Sequence, residues 1–257
     1  MQTGPLVEVR NISMRYHTPE GEIPALKDIS LQIAKGEFVG IVGPSGCGKS
    51  TLLNIIAGLI SSYDGEVMIH GKAVTRGTDL IGYMPQSDQL FEWRTIWKNV
   101  LLGLEVQNKV NERTKAFAWQ LLENYGLKEF AQAHPSQLSG GMRQRVALIR
   151  TLAVNPEILL LDEAFSALDY QTRLVVADEV KQIIVKENKT AILVTHDISE
   201  AISMSDKIVV LTKRPGRVKS IYNIELTCSD NTAMKCREAP EFRHYFNDIW
   251  KELDVHV

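Results

Sequence analysis

Three cysteines, Cys47, Cys228 and Cys236, are all that 257 residues contain, too few and too widely spaced to suggest a disulfide framework or a zinc site. Excess charge is missing as well. The 29 basic side chains against 31 acidic ones leave a formal charge of -2 and a pI of about 6.3, so there is no global basic field to hold nucleic acid. Apolar runs such as Phe38 to Val42 and Ile158 to Leu161 are short, and no stretch approaches the roughly 20 residues needed to span a bilayer. The start, Met1-Gln2-Thr3-Gly4-Pro5, lacks the basic-then-apolar pattern of a signal peptide, which points to the cytosol. Internal repeats and low-complexity segments are absent too. What remains is a chain that is 44% hydrophobic and long enough for a large buried core with an inserted lobe.

Two kinds of strand are legible. Leu6 to Ile12 and Ile29 to Ile33 alternate apolar and polar residues, as half-buried strands do, with a turn-rich stretch from Thr18 to Pro24 between them. Phe38 to Val42, Ile158 to Leu161 and Ala191 to Val194 are continuously apolar, as parallel strands covered on both faces require. Helical stretches are expected at Lys49 to Gly58 and Tyr170 to Lys186. Between Ser87 and Asn155 the pattern turns helical: Asn111 can cap a segment whose Phe117, Leu121, Leu122 and Tyr125 share a face, and Gly126 stops it. The expected fold is therefore α/β, with a core at 1–86 and 156–257 and a helical lobe inserted at 87–155.

Three motifs carry chemistry. Gly43-Pro44-Ser45-Gly46-Cys47-Gly48-Lys49-Ser50 satisfies GxxxxGK[ST] between a buried strand and a helix, the context in which that pattern is a phosphate loop. Its glycines let backbone N–H groups curl toward a phosphate, and the helix start adds partial positive charge. Lys49 then bridges phosphate oxygens, and the Ser50 hydroxyl, followed by Thr51, is placed to ligate Mg²⁺. Cys47 contributes its backbone, though a thiol at this position is a candidate for reactivity. Asp162-Glu163 ends a buried strand at the sheet edge where such folds bind ligands, so Asp162 suits the metal shell and Glu163 the polarisation of an attacking water. Leu138-Ser139-Gly140-Gly141-Met142-Arg143-Gln144 supplies a second uncovered helix start, with Ser139 as its cap but no lysine of its own. Such a half-site serves a ligand held elsewhere.

In this order the three motifs resemble those of the ATP-binding cassette (ABC) ATPases, over nearly the whole chain. The resemblance implies a P-loop NTPase (RecA-like) core with an antiparallel β subdomain and an inserted α-helical subdomain, using ATP and Mg²⁺. It further implies a head-to-tail dimer in which Ser139, Gly140 and Gly141 of one copy cover the γ-phosphate bound by the other. Gln86 matches the glutamine that contacts Mg²⁺ and joins core to lobe, His196 the switch histidine at the γ-phosphate, Asp169 the loop that crosses the dimer, and Tyr16 the aromatic that stacks on adenine. Alone, each is unremarkable, and Asp169 is equally suited to cap the next helix.

Ala164 to Asp169, the Lys213-Arg214-Pro215-Gly216-Arg217-Val218 turn and a short tail with Phe242-Arg243 and Ile249 to Leu253 look like the nitrate/sulfonate/taurine branch of importer ATPases. That resemblance implies two transmembrane permease subunits, a second ATPase subunit, an extracytoplasmic solute-binding protein reached indirectly, and a peripheral place on the cytoplasmic side of the cell membrane. One departure is Glu92-Trp93, where the branch commonly has Pro-Trp. In the family the stretch Ser87 to Trp93 receives a permease helix, which makes Phe91 and Trp93 anchor candidates, unless both pack into the lobe's own core. Competing readings are a soluble cassette acting on nucleic acid or ribosomes, disfavoured by the neutral composition, and a metabolite kinase, which leaves Ser139 to Gln144 unexplained.

Overall fold

The computed structural model describes residues 4–19, 21–74, 78–228 and 232–253; Met1 to Thr3 of the leader reading and Glu20 of the turn reading lie outside them. Val7, Val9, Ile12 and Met14 are buried along β1 (Val7–Thr18), and Ile29, Leu31 and Ile33 along β2 (Gly21–Ile33), so alternation puts one face of each strand into a core. The turn between them is tighter than the composition suggests. Ladder pairing resumes at Gly21, and Pro24 sits inside β2 opposite Arg15, next to a register shift that accommodates its missing N–H. All five residues of β3 (Phe38–Val42) are buried, and α1 (Lys49–Ile56) follows the glycine loop. β4 (Asp64–Ile69) and β5 (Lys72–Ala73) complete an antiparallel sheet of order β2-β1-β4-β5.

β6 (Ile81–Met84) leads into three helices, α2 (Ile96–Val106), α3 (Glu112–Asn124) and α4 (Gly140–Ala153). Asn111 caps α3 in a reciprocal capping box with Thr114, and Gly126 adopts φ 69 just beyond its end, where a Cβ would be strained. The chain continues through β7 (Ile158–Asp162), α5 (Tyr170–Lys186), β8 (Thr190–Thr195), α6 (Ile198–Met204), β9 (Lys207–Leu211) and β10 (Val218–Asn223), and ends in α7 (Ala233–Cys236) and α8 (Phe242–Leu253). These strands form a second sheet of order β10-β9-β3-β8-β7-β6, parallel except for β10.

Alternate residues of the parallel strands feed opposite cores. Ile158, Leu160, Ile192 and Val194 pack with α1 against the antiparallel sheet, while Leu159, Leu161, Ala191 and Leu193 pack against the helices α2 to α5. Each such fully buried Leu or Ile is worth about 1.5–3 kcal/mol of burial, so both faces hold β3, β7 and β8 rigid beneath the loops at their ends. The helix-rich segment is therefore continuous with the main core through one apolar cluster.

The cysteine reading needs correction. Cys228 and Cys236, the latter at the end of α7, form a disulfide with their Cα atoms 5.1 Å apart. A separation of eight residues in sequence carries no signal of that pairing.

Candidate nucleotide-binding site

Gly43 to Gly48 leaves the C-terminal end of β3 with Gly46 at φ 73 and Gly48 at φ 106, conformations that a side chain would strain. Space is equally restrictive: a Cβ at Gly43 would stand 2.7 Å from the Cys47 Sγ, and one at Gly48 2.7 Å from the Leu26 Cδ2. The loop is thus a tight crown over the start of α1, whose first N–H groups have no intrahelical acceptor. Lys49 is buried and its ammonium donates to the carbonyl oxygens of Gly43 (2.8 Å) and Pro44 (3.1 Å), holding a positive charge at the centre of the crown. Around it lies an open cavity of about 230 Å³ lined by Ser45, Gly46, Gly48, Lys49, Ser50, Thr51, Glu163 and Arg214.

The surroundings of Cys47 oppose a reactive thiol. Its side chain is buried beneath the crown, and desolvation pushes its pKa up, the Lys49 charge opposing this only in part. A buried, desolvated thiol resists the thiolate form that reactivity requires.

The parallel register brings the end of β7 beside the end of β3 with only β8 between them, which puts Asp162 and Glu163 across from the loop. The Ser50 hydroxyl donates to the Asp162 Oδ1 at 2.8 Å, and the Tyr83 hydroxyl donates to Oδ2 at 2.9 Å. Burial and the adjacent carboxylate push the Tyr83 phenol far above its ordinary pKa, so it is a fixed donor. A hydroxyl and a carboxylate in contact at the mouth of a phosphate crown are hard oxygen donors, and this set fits Mg²⁺.

Glu163 turns sharply out of the strand at φ 46, an uncommon conformation for a non-glycine residue. Its N–H donates to the Val194 carbonyl, and its Oε2 lies 3.2 Å from the His196 Nδ1 and 3.4 Å from the Gln86 Nε2. Gln86 also donates to the Ser166 hydroxyl at 3.3 Å, and Ser166 in turn donates to the Glu163 carbonyl at 2.9 Å. Gln86, just after β6, and His196, just after β8, thereby converge on the carboxylate that follows β7. Tyr16 reaches the far side of the loop, its hydroxyl 3.0 Å from the Thr51 Oγ1, with 39% of the residue exposed beside α1.

The Ser139 motif lies apart from this cavity. Ser139 caps α4, its hydroxyl accepting from the Met142 N–H at 3.3 Å, as the sequence suggests, and the helix begins at Gly140. Gly141 has a packing reason of its own, because a Cβ there would meet Val176 at 3.0 Å and Thr172 at 3.1 Å, so α4 and α5 approach closely only through glycine. Asp169 acts as a cap: its carboxylate accepts from the Thr172 N–H at 3.1 Å at the start of α5. Tyr83, Ser166 and Arg214 are the neighbours of the site that sequence reasoning did not assign to it. Nothing in a lone tyrosine, serine or arginine marks it: the pairing of β6 with β7 sets Tyr83 beside Asp162, Ser166 folds back onto the Glu163 carbonyl, and Arg214 lines the cavity.

Comparison with known proteins matches this arrangement. The ABC transporter family pattern covers residues 26–166. The chain is 45% identical over 248 residues to the uncharacterized ABC transporter ATP-binding protein YtlC of Bacillus subtilis, covering 96% of this chain and 95% of that one. It is 38% identical over 221 residues to the aliphatic sulfonates import ATP-binding protein SsuB of Bacillus cereus, covering 86% of each. To the taurine import ATP-binding protein TauB of Roseobacter denitrificans it is 36% identical over 251 residues, covering 95% and 94%. Among solved structures, a dimeric ATP-binding cassette in a post-hydrolysis state, bound to ADP and Pi, superposes with a TM-score of 0.72 at 35% identity, covering 85% of this chain and 99% of the other. The chain belongs to the ABC transporter family as an ATP-binding subunit, an ATPase that takes ATP with Mg²⁺.

Proposed function

We propose that this subunit powers uptake of a small, anionic solute of the nitrate, sulfonate or taurine kind through two separate permease subunits, with an extracytoplasmic binding protein delivering the solute. Two copies close head to tail, residues 87–155 forming the helical lobe of each and residues 1–86 with 156–257 the core. Bound Mg²⁺ supplies charge neutralisation on the phosphates. Ser50, Asp162 and Gln86 hold it; Lys49 and the N–H groups of Gly43 to Thr51 bind the phosphates; Tyr16 supports the base. Glu163 orients the attacking water, its carboxylate kept in position by His196 and Gln86, and Ser139, Gly140 and Gly141 of the second copy complete the site with Asp169 at the crossing loop. The importer names of the sulfonate and taurine relatives support the solute class.

One observation carries the membrane partnership. Trp93 is 75% exposed and stacks on Phe91, with ring centroids 4.8 Å apart, a few residues after Gln86. The loop beneath is pinned: Asn99 exchanges hydrogen bonds with the Phe91 backbone at 2.8 and 3.1 Å, and the Arg150 guanidinium donates to the carbonyls of Asp88 and Gln89. A rigid loop that presents an indole to solvent is suited to receive an apolar helix of a partner. The exposure of Trp93 also removes the alternative that both rings pack into the lobe's own core. Phe91→Ala with Trp93→Ala is expected to leave ATP binding by the isolated subunit intact while uncoupling hydrolysis from transport in the reconstituted complex. Normal assembly and transport by the double variant would put the docking surface elsewhere.

A further inference from the structure

One side chain of the Lys213 to Val218 turn lines the nucleotide cavity. Arg214 closes that cavity together with Ser45, Gly46, Gly48, Lys49, Ser50, Thr51 and Glu163. Arg10, Arg15, Arg94, Arg145 and Arg173 each sit against a carboxylate. Arg214 is exposed, and no hydrogen bond or ion pair among the described residues holds its guanidinium. Lys49, by contrast, is buried and turned onto the loop's own carbonyls.

The base of this arginine is fixed. The Gly216 N–H donates to the Ala25 carbonyl and the Lys27 N–H donates to the Gly216 carbonyl, both at 2.9 Å, which ties the turn to β2. Thr212 closes it from the other side, its N–H donating to the Arg217 carbonyl at 2.9 Å and its hydroxyl accepting from the Arg217 N–H at 3.0 Å. Gly216 also lies directly on the phosphate loop, for a Cβ there would stand 2.3 Å from the Cys47 carbonyl oxygen. A cation on a rigid turn, packed against a phosphate crown and open to its cavity, loses little freedom in binding an anion. Its planar fork of donors matches phosphate oxygens.

We propose that Arg214 is a nucleotide-binding residue, its guanidinium donating to the triphosphate of the ATP held by Gly43 to Thr51 as a second cation beside Lys49. The inference rests on the reading of that loop as the phosphate site. Being exposed, the contact is screened, so it belongs at the low end for a charged hydrogen bond.

Calorimetric titration of the isolated subunit with a non-hydrolysable ATP analogue and Mg²⁺, and separately with adenosine, tests it. Arg214→Ala is expected to weaken binding of the analogue about tenfold, with Arg214→Lys in between and adenosine binding unchanged. Lys213→Ala, one residue away, is expected to bind as the wild type does, and circular dichroism is expected to show all variants folded. Wild-type affinity in Arg214→Ala, with binding lost in Lys49→Ala, would overturn the role of Arg214 and leave the loop assignment standing. Wild-type affinity in both would overturn the loop assignment and the inference together. Unchanged affinity in Arg214→Ala accompanied by loss of ATP-driven dimerisation would also overturn it, and would give the guanidinium to the second copy.

Discussion

Gly216→Ala tests whether the Arg-Pro-Gly turn sets the position of the phosphate loop. The added Cβ would stand 2.3 Å from the Cys47 carbonyl oxygen, 3.3 Å from the Leu26 Cδ2 and 3.4 Å from the Cys47 carbonyl carbon. Carbon and oxygen come into close contact at about 3.3 Å, so roughly 1 Å must be found. Gly216 is poorly placed to give way, because its N–H and its carbonyl are both bonded to β2. The Cys47 peptide must move instead, and it lies in the middle of the crown that Lys49 and Ser50 terminate. Overpacking of this kind costs about 1–3 kcal/mol, which a domain stable by roughly 5–15 kcal/mol survives folded. A displacement of roughly 1 Å at a positioning group lowers turnover on the order of 100-fold. Phosphate release at saturating ATP, with a thermal melt of the same preparation, measures both quantities. A folded variant that turns over within about twofold of the wild type would refute the claim that this contact holds the loop.

Glu163→Gln keeps the size of the side chain and removes the charge that orients water, so hydrolysis is expected to fall by roughly 10²–10⁴ while ATP binding survives and a closed dimer accumulates, read by phosphate release and gel filtration. Ser139→Ala is expected to lose the α4 cap at a cost of about 1 kcal/mol in urea unfolding, whereas Ser139→Arg spares ATP binding by the monomer and abolishes cooperative hydrolysis; cooperative turnover in Ser139→Arg would reject the head-to-tail site. Glu200, buried on α6, has its pKa pushed up to about 7 by desolvation, reinforced by Asp197 and opposed by Thr195, Arg173 and Arg237. The folded state then binds its proton more tightly than the unfolded state, so this group's contribution to stability declines between about pH 4.5 and 7. Glu200→Gln is expected to flatten that decline and to gain roughly 1–3 kcal/mol at pH 8 in urea titrations, and an unchanged pH profile would refute the raised pKa.

The phosphate loop, the acidic strand end and the capped glycine helix were legible in sequence because each is local chemistry. A phosphate crown needs glycines followed by lysine and a hydroxyl within one turn, and a cap needs its hydroxyl three residues before the N–H it accepts from. Buried strands were equally legible at Phe38 to Val42 and Ile158 to Leu161, since burial on both faces leaves no polar position. The extent of β2 was not, because a proline reads as a turn unless the register shift that tolerates it is known. Tertiary structure alone brought Gln86 to 3.4 Å and His196 to 3.2 Å from the Glu163 carboxylate, gave Asp162 its Tyr83 partner, buried the Cys47 thiol, joined Cys228 to Cys236 and turned Arg214 to the nucleotide cavity. Apart from the Cys228–Cys236 link, these depend on the strand order β10-β9-β3-β8-β7-β6, in which residues far apart along the chain end side by side. Local residue preferences decide which segments become strands, but the order in which strands pair is decided by how both faces of the sheet are covered at once, and that is a property of the whole chain.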